Sequence, residues 1–147
     1  MPEAGKKESN GGWWETPYGE WRLSMEVEAM RERFPPFRIV FGDQGRLCWV
    51  GRLRSSMSRK RYLVKITYPW GFPDEAPGVV IERHQFPSGT PHLLDGTRPC
   101  LFLPAQGPRN GYDPARTTAA TLVAWTALWI HAYETWRATA MWPGRGD

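Results

Sequence analysis

The chain is poor in aliphatic side chains: Leu, Ile, Val and Phe together occupy 27 of its 147 positions. At about 18 %, that share sits just under the level that signals disorder when it comes with high net charge. The net charge here is only +4, and nine Trp with five Tyr supply apolar area, so the expected core is aromatic. Long hydrophobic runs are also missing. None approaches the roughly 18 residues that cross a bilayer, and residues 1–12 hold no signal-peptide core, which together point to a soluble, cytoplasmic chain. Only two Cys and three His are present, at spacings that match no zinc site, and a cytoplasmic chain keeps its thiols reduced. Neither a phosphate-cradling glycine loop nor a Ser-centred nucleophile motif occurs, so no cofactor is expected. The 19 basic residues are offset by 15 acidic ones. The densest basic stretch, Arg52 to Arg61, reads as a solvated hairpin loop, which argues against nucleic-acid binding.

The pattern that remains predicts one domain over residues 13–147 behind a mobile tail, 1–12. Thr16 followed by Pro17 is a helix start, and Leu23, Val27, Met30 and Phe34 form one helical stripe that Pro35 and Pro36 must end. Phe37 to Phe41 reads as a strand, Gly42 to Gly45 as a turn, and Arg46 to Leu53 as a second strand with Leu47, Trp49 and Leu53 on one face. After the loop Arg54 to Lys60, residues Tyr62, Val64, Ile66 and Tyr68 keep period two, and Val79 to Ile81 makes a fourth strand. Short connections imply an antiparallel meander. From Glu82 to Pro114 the chain holds six prolines and little periodicity, a long irregular stretch of the kind that carries function. Thr117 or Thr118 then caps a second helix with an aromatic stripe, Leu122, Trp125, Trp129, Tyr133 and Trp136, which Pro143 and Gly144 stop. Each helix needs an apolar partner, which places the two on opposite sides or ends of one sheet.

The irregular stretch contains Cys100, between Pro99 and the short apolar run Leu101 to Leu103, with Arg98 two residues before it. A nearby cation favours the thiolate, the attacking species, so Cys100 suits a nucleophile; the plain alternative is a small buried hydrophobe. Cys48, mid-strand beside Trp49, reads as a packed residue. His84 reads as a surface residue and His131 as a solvated or packed one. Tyr112 and Asp113 are supporting candidates, since a carboxylate near an acyl-enzyme can orient or deprotonate an amine, although Asp is also an ordinary turn residue.

This order, helix, four-strand meander, irregular segment with one Cys, helix, resembles the ubiquitin-conjugating enzyme family. The resemblance is most specific from Tyr62 to Thr118. Tyr68-Pro69-Trp70-Gly71-Phe72-Pro73 and Ala76-Pro77 match the family's proline-aromatic link between strands. The family then carries His-Pro-Asn with its Asn eight residues before a catalytic Cys that Leu follows; here Thr90-Pro91-His92 stands at that distance from Cys100-Leu101. Tyr112-Asp113-Pro114 and Thr117-Thr118 look like the family's Trp-x-Pro element and capped helix. A His in the Asn position is similar to bacterial members found in antiphage operons, and the family's last two helices have no counterpart here. The resemblance implies an α+β, ubiquitin-conjugating-like fold. Cys100 then carries a protein C-terminus as a thioester, and His92 supplies an N–H to the oxyanion or takes the amine's proton. It also implies a cargo, the C-terminus of a cGAS-like nucleotidyltransferase in cyclic-oligonucleotide antiphage signalling or else a ubiquitin-like protein, with an activating enzyme upstream. A non-catalytic module of the same fold that only binds such a protein is the alternative.

Overall fold

Thr16 opens the first helix as expected: its hydroxyl accepts the Gly19 N–H at 2.9 Å, and Pro17 stands where no backbone donor is needed. The computed structural model describes residues 11–101 and 111–143. The expected tail up to residue 10, Leu103 and Gly144 lie outside them. Helix α1 (Pro17–Arg33) is followed by strands β1 (Arg38–Phe41), β2 (Leu47–Arg54), β3 (Arg61–Thr67) and β4 (Gly78–Glu82), and then by helix α2 (Ala119–Thr139). The strands form one antiparallel sheet in the order β1-β2-β3-β4, the meander that the short connections predict.

The register puts one apolar face together. Trp49 pairs with Ile66, Ile66 with Val79 and Val64 with Ile81, and these side chains are buried with Tyr62 and Tyr68. Gly51 in β2 is dictated by a close approach: a Cβ there would come within 2.5 Å of the Phe37 ring. Phe37, the first residue of the expected strand, lies just before the observed β1 and is buried, while Ile39, Val40 and Phe41 of that edge strand stay exposed.

Both helices cover the same face of the sheet. Tyr62 and Tyr68 are six positions apart and so point the same way. The Tyr68 hydroxyl reaches Glu26 of α1, and the Tyr62 hydroxyl reaches Glu134 of α2. Of the expected opposite sides or ends, the arrangement is the second: α1 meets the Tyr68 end of β3, while α2 starts beside Glu26 and runs on to the Tyr62 end. The aromatic stripe of α2 is core as read, with Leu122, Trp129 and Tyr133 buried, and it is wider than read, because Val123, Thr126 and Ile130 are buried too.

Two boundaries differ from expectation for physical reasons. Helix α2 ends at Thr139, not at Pro143, because Ala140 takes a left-handed backbone (φ 66°) and the Thr139 hydroxyl accepts the Met141 N–H. The chain then turns Trp142 onto Trp129. Of the expected stripe in α1 only Met30 is buried, Leu23, Val27 and Phe34 being partly buried, and the other fully buried side chains are those of Arg22 and Glu26. A charged pair thus occupies the helix face where an apolar pair was expected.

Candidate active site

Within the stretch that reads as irregular in sequence, Glu82 to Pro114, residues 92–100 fold into a small hairpin. The Cys100 N–H donates to the His92 carbonyl at 2.9 Å, the Leu94 N–H donates to the Arg98 carbonyl at 2.7 Å, and Leu93 bridges Pro99. Asp95-Gly96-Thr97 forms the tip, with Gly96 at φ 94°. The Thr97 carbonyl accepts the Ile81 N–H at 2.9 Å, so the tip of the hairpin is fastened to the open edge of β4. Asp-Gly is a standard hairpin signal that could have revealed this element from sequence.

The hairpin sets His92 and Cys100 side by side. His92 adopts a left-handed backbone (φ 55°), a strained state for a residue with a Cβ, costing about 1–3 kcal/mol. Two donors hold it there, since its carbonyl accepts both the Cys100 N–H and, at 2.8 Å, the indole N–H of Trp129 from α2. The imidazole lies 4.9 Å from the Trp142 ring, centroid to centroid, and Trp142 lies 5.5 Å from Trp129. A wall of α2 and the turn after it therefore backs the pair. Cys100 is partly exposed and is not in a disulfide.

Arg98 is not placed as read. Its guanidinium Nε donates to Asp95 at 2.9 Å across the hairpin tip, so its charge is matched there. Desolvation pushes the Asp95 carboxyl up, but the hydrogen bonds from Thr97 and Arg98 and the charge of Arg98 together outweigh it and hold the carboxyl below the usual range.

Tyr112 and Asp113 belong to the segment leading into α2. The Tyr112 hydroxyl donates to the Pro73 carbonyl, and burial, the largest influence, raises its phenol above the ordinary value against the pull of Arg22. Asp113 is an exposed turn residue whose carboxylate accepts the Ala115 N–H at 3.0 Å, while its own N–H donates to the Thr117 hydroxyl. These bonds shape the entry to α2.

A buried network missed in the sequence braces that entry. Arg22 and Glu26, both fully buried, form an i,i+4 pair at 3.2 Å. Arg22 also donates to the carbonyls of Pro114 at 2.6 Å and Thr117 at 2.7 Å, and its guanidinium lies over the Phe72 ring. Glu26 accepts the Tyr68 hydroxyl at 2.6 Å and the Ala119 N–H, the first of α2, at 2.8 Å. Trp49 in turn donates to Tyr68. Burial pushes the Glu26 carboxyl up, while the bonds from Tyr68 and Ala119 and the charge of Arg22 pull it back; burial and the adjacent carboxylate raise the Tyr68 phenol well above its ordinary value. Opposite charges at positions 22 and 26, with Met30 four further on, were the available sequence signal.

Cys48 is fully buried, its Sγ within 3.6 Å of the Arg46 carbonyl and 3.5 Å of the Thr67 hydroxyl, the packed position read from sequence. Limited iodoacetamide labelling with peptide mapping is therefore expected to modify Cys100 well before Cys48, because reagent access governs the rate. Faster labelling of Cys48 contradicts this placement of the two thiols. His84 differs from its surface reading: it is half-buried, with its ring nitrogens bonded to Lys60 and Tyr133. His131 is exposed.

Among the described residues no helix is long and apolar enough to cross a membrane. A crystal structure of a ubiquitin-conjugating enzyme E2 from Plasmodium falciparum is similar at 17 % identity, covering 76 % of this chain and 97 % of that one with a TM-score of 0.49. A search of curated proteins finds no match. The family model described as "Type II CBASS E2 protein" matches residues 26–147, a span that takes in the sheet, the Cys100 hairpin and α2, and the chain therefore belongs to that family of ubiquitin-conjugating-like proteins of antiphage defence.

Proposed function

We propose that Cys100 carries the C-terminus of a cGAS-like nucleotidyltransferase as a thioester and passes it to an acceptor amine, with His92 acting on the transfer step. The observation that carries this reading is the hairpin that joins a partly exposed thiol to a His through a backbone hydrogen bond at the sheet edge. In the first step the Cys100 thiolate attacks the carbonyl carbon of a cargo C-terminus held as a thioester on an activating enzyme. The new S–C bond forms as that enzyme's thiolate leaves. In the second step an acceptor amine attacks the same carbon, the S–C bond breaks, and Cys100 departs as thiolate.

Both steps pass through a tetrahedral oxyanion, and the second also releases a proton from the amine. The His92 ring can donate an N–H to the first or accept the second. Its strained backbone, clamped by Trp129 and Cys100, limits the positions that the ring can take. Pre-set placement of this kind makes a donor effective at the moment that charge develops.

His92→Ala is expected to slow single-turnover transfer by about 10²–10³, the usual weight of one oxyanion donor or acid–base group, with cargo binding unchanged. The assay uses the full chain with the cargo, its activating enzyme and ATP, read once as cargo association and once as the rate of amine acylation. Equal rates in wild type and His92→Ala contradict the role given to His92. Exchanging the nucleotidyltransferase for a ubiquitin-like protein distinguishes the two cargo classes, since the proposal requires that only the nucleotidyltransferase load at a useful rate.

A further inference from the structure

At the C-terminal end of α2, an open groove of about 490 Å³ lies between that helix and the β2–β3 loop. Its polar groups include Lys60, His84, Tyr133, Glu134 and Arg137, and Met57 and Ala138 line it with apolar surface. The hydrogen bonds fix how these groups face the groove. A lysine ammonium can only donate, so the 3.1 Å contact from Lys60 Nζ makes His84 Nδ1 an acceptor. The neutral imidazole then carries its proton on Nε2 and donates to the Tyr133 hydroxyl oxygen at 3.1 Å. Burial, together with the charges of Lys60 and Arg137, lowers the His84 pKa and favours that neutral form.

Arg137 Nη1 donates to the same Tyr133 oxygen, also at 3.1 Å. Tyr133 thus accepts two hydrogen bonds, and its own O–H proton has no acceptor among the described residues. Tyr133 as a whole is 2 % exposed, yet it contributes to the groove lining.

The charges point the same way. Glu134 is the one carboxylate in the groove lining, and its oxygens are already taken: Ser55 bonds to one, and Ser58 at 2.8 Å and Tyr62 at 2.6 Å bond to the other. Those bonds outweigh burial and hold Glu134 below the ordinary carboxylate pKa, while burial and the neighbouring carboxylate raise the Tyr62 phenol. Glu134 therefore closes the β2–β3 loop. Among the described residues no carboxylate lies within ion-pair distance of Lys60 or Arg137. Two cations and a spare phenol donor thus converge on a groove whose one carboxylate is engaged by Ser55, Ser58 and Tyr62, and the excess of positive charge suits an anion. A phosphate group fits that donor set, and the groove volume leaves room for an organic body of nucleotide size against Met57 and Ala138.

We propose that this groove binds a small organic phosphate, its phosphate held by Lys60, Arg137 and the Tyr133 hydroxyl. The inference is independent of the thioester reading. Isothermal titration of the full chain with AMP, adenosine and inorganic phosphate tests it, alongside Lys60→Ala and Arg137→Ala, both at exposed positions, and Tyr133→Phe. AMP is expected to bind and adenosine is not. Each of the two cation variants should weaken AMP by roughly ten- to hundredfold, the weight of a charge-assisted hydrogen bond, with melting temperatures near wild type. Tyr133→Phe should weaken AMP less than they do, and its melting temperature shows whether the fold is intact. Three results overturn the proposal: no AMP binding at millimolar concentration, AMP affinity indifferent to both cation variants, or adenosine binding as well as AMP. Inorganic phosphate binding as tightly as AMP overturns the part assigned to the organic body.

Discussion

Glu26→Ala is expected to lower the stability of the fold by about 3–5 kcal/mol, the cost of leaving one member of a buried ion pair without its partner. The substitution strands three donors at once: Arg22 Nε, the Tyr68 hydroxyl and the Ala119 N–H all end on Glu26. Against a total stability typical of a chain this size, about 5–15 kcal/mol, the loss is large enough that Glu26→Ala can fail to fold. Glu26→Gln keeps an acceptor for Tyr68 and Ala119 and is expected to lose less. The double change Arg22→Met with Glu26→Leu removes both charges and should recover much of the deficit, since apolar replacement of a buried pair is often neutral or better. Urea unfolding midpoints of the three variants decide the matter. A Glu26→Ala loss below about 1 kcal/mol contradicts the role given to the pair, that figure being typical of an exposed salt bridge.

The consequence reaches the candidate site through the chain path. Arg22 holds the carbonyls of Pro114 and Thr117, and Glu26 holds the first N–H of α2. Helix α2 in turn supplies Trp129, whose indole fixes the His92 carbonyl. Loosening the pair therefore removes support from the wall behind Cys100, and in a variant that still folds, transfer should fall along with stability.

The meander was legible because its signals are local: period-two alternation through Tyr62, Val64, Ile66 and Tyr68, and glycines where the chain turns. Helix starts were legible for the same reason, Thr16 and Thr118 both acting as hydroxyl caps. What escaped depends on contacts distant in sequence. The buried face of α1 reads as charged until Tyr68 and the entry to α2 arrive to satisfy Arg22 and Glu26, so a search for apolar stripes selects the neighbouring Leu23 and Val27 instead. The Cys100 hairpin was hidden by its prolines, which mask the alternation that Asp95-Gly96 should have prompted one to seek. The end of α2 rests on one left-handed residue, Ala140, which no propensity scale foretells. Cys100 and His92 came from a spacing of eight residues and a family resemblance, and the hairpin supplies a physical reason for that spacing: it is the interval that places the two across one turn. Arg98 illustrates the limit of proximity in sequence, because two residues along a hairpin direct its side chain to the tip and to Asp95.

Cys100→Ala is expected to abolish the covalent cargo adduct altogether, while Cys100→Ser should accumulate it. The serine variant retains a nucleophile of similar size but forms an oxyester, which amines attack more slowly than a thioester, so the loaded species outlives the transfer step. The oxyester should resist thiol reductant and yield to alkali, whereas the wild-type adduct yields to both. Denaturing gels run after each treatment separate these outcomes. An adduct that persists in Cys100→Ala places the acyl group on another residue and removes Cys100 from the mechanism.

The central claim, that the chain carries its cargo covalently on Cys100, is tested most directly by the intact mass of the wild-type protein after incubation with the cargo, its activating enzyme and ATP. The account predicts a species heavier than the free chain by the mass of the cargo less one water, which disappears when thiol reductant is added and whose linkage maps to Cys100. Association of the cargo with the chain without any such reductant-sensitive mass would contradict it and leave a binding module of the same fold as the better description.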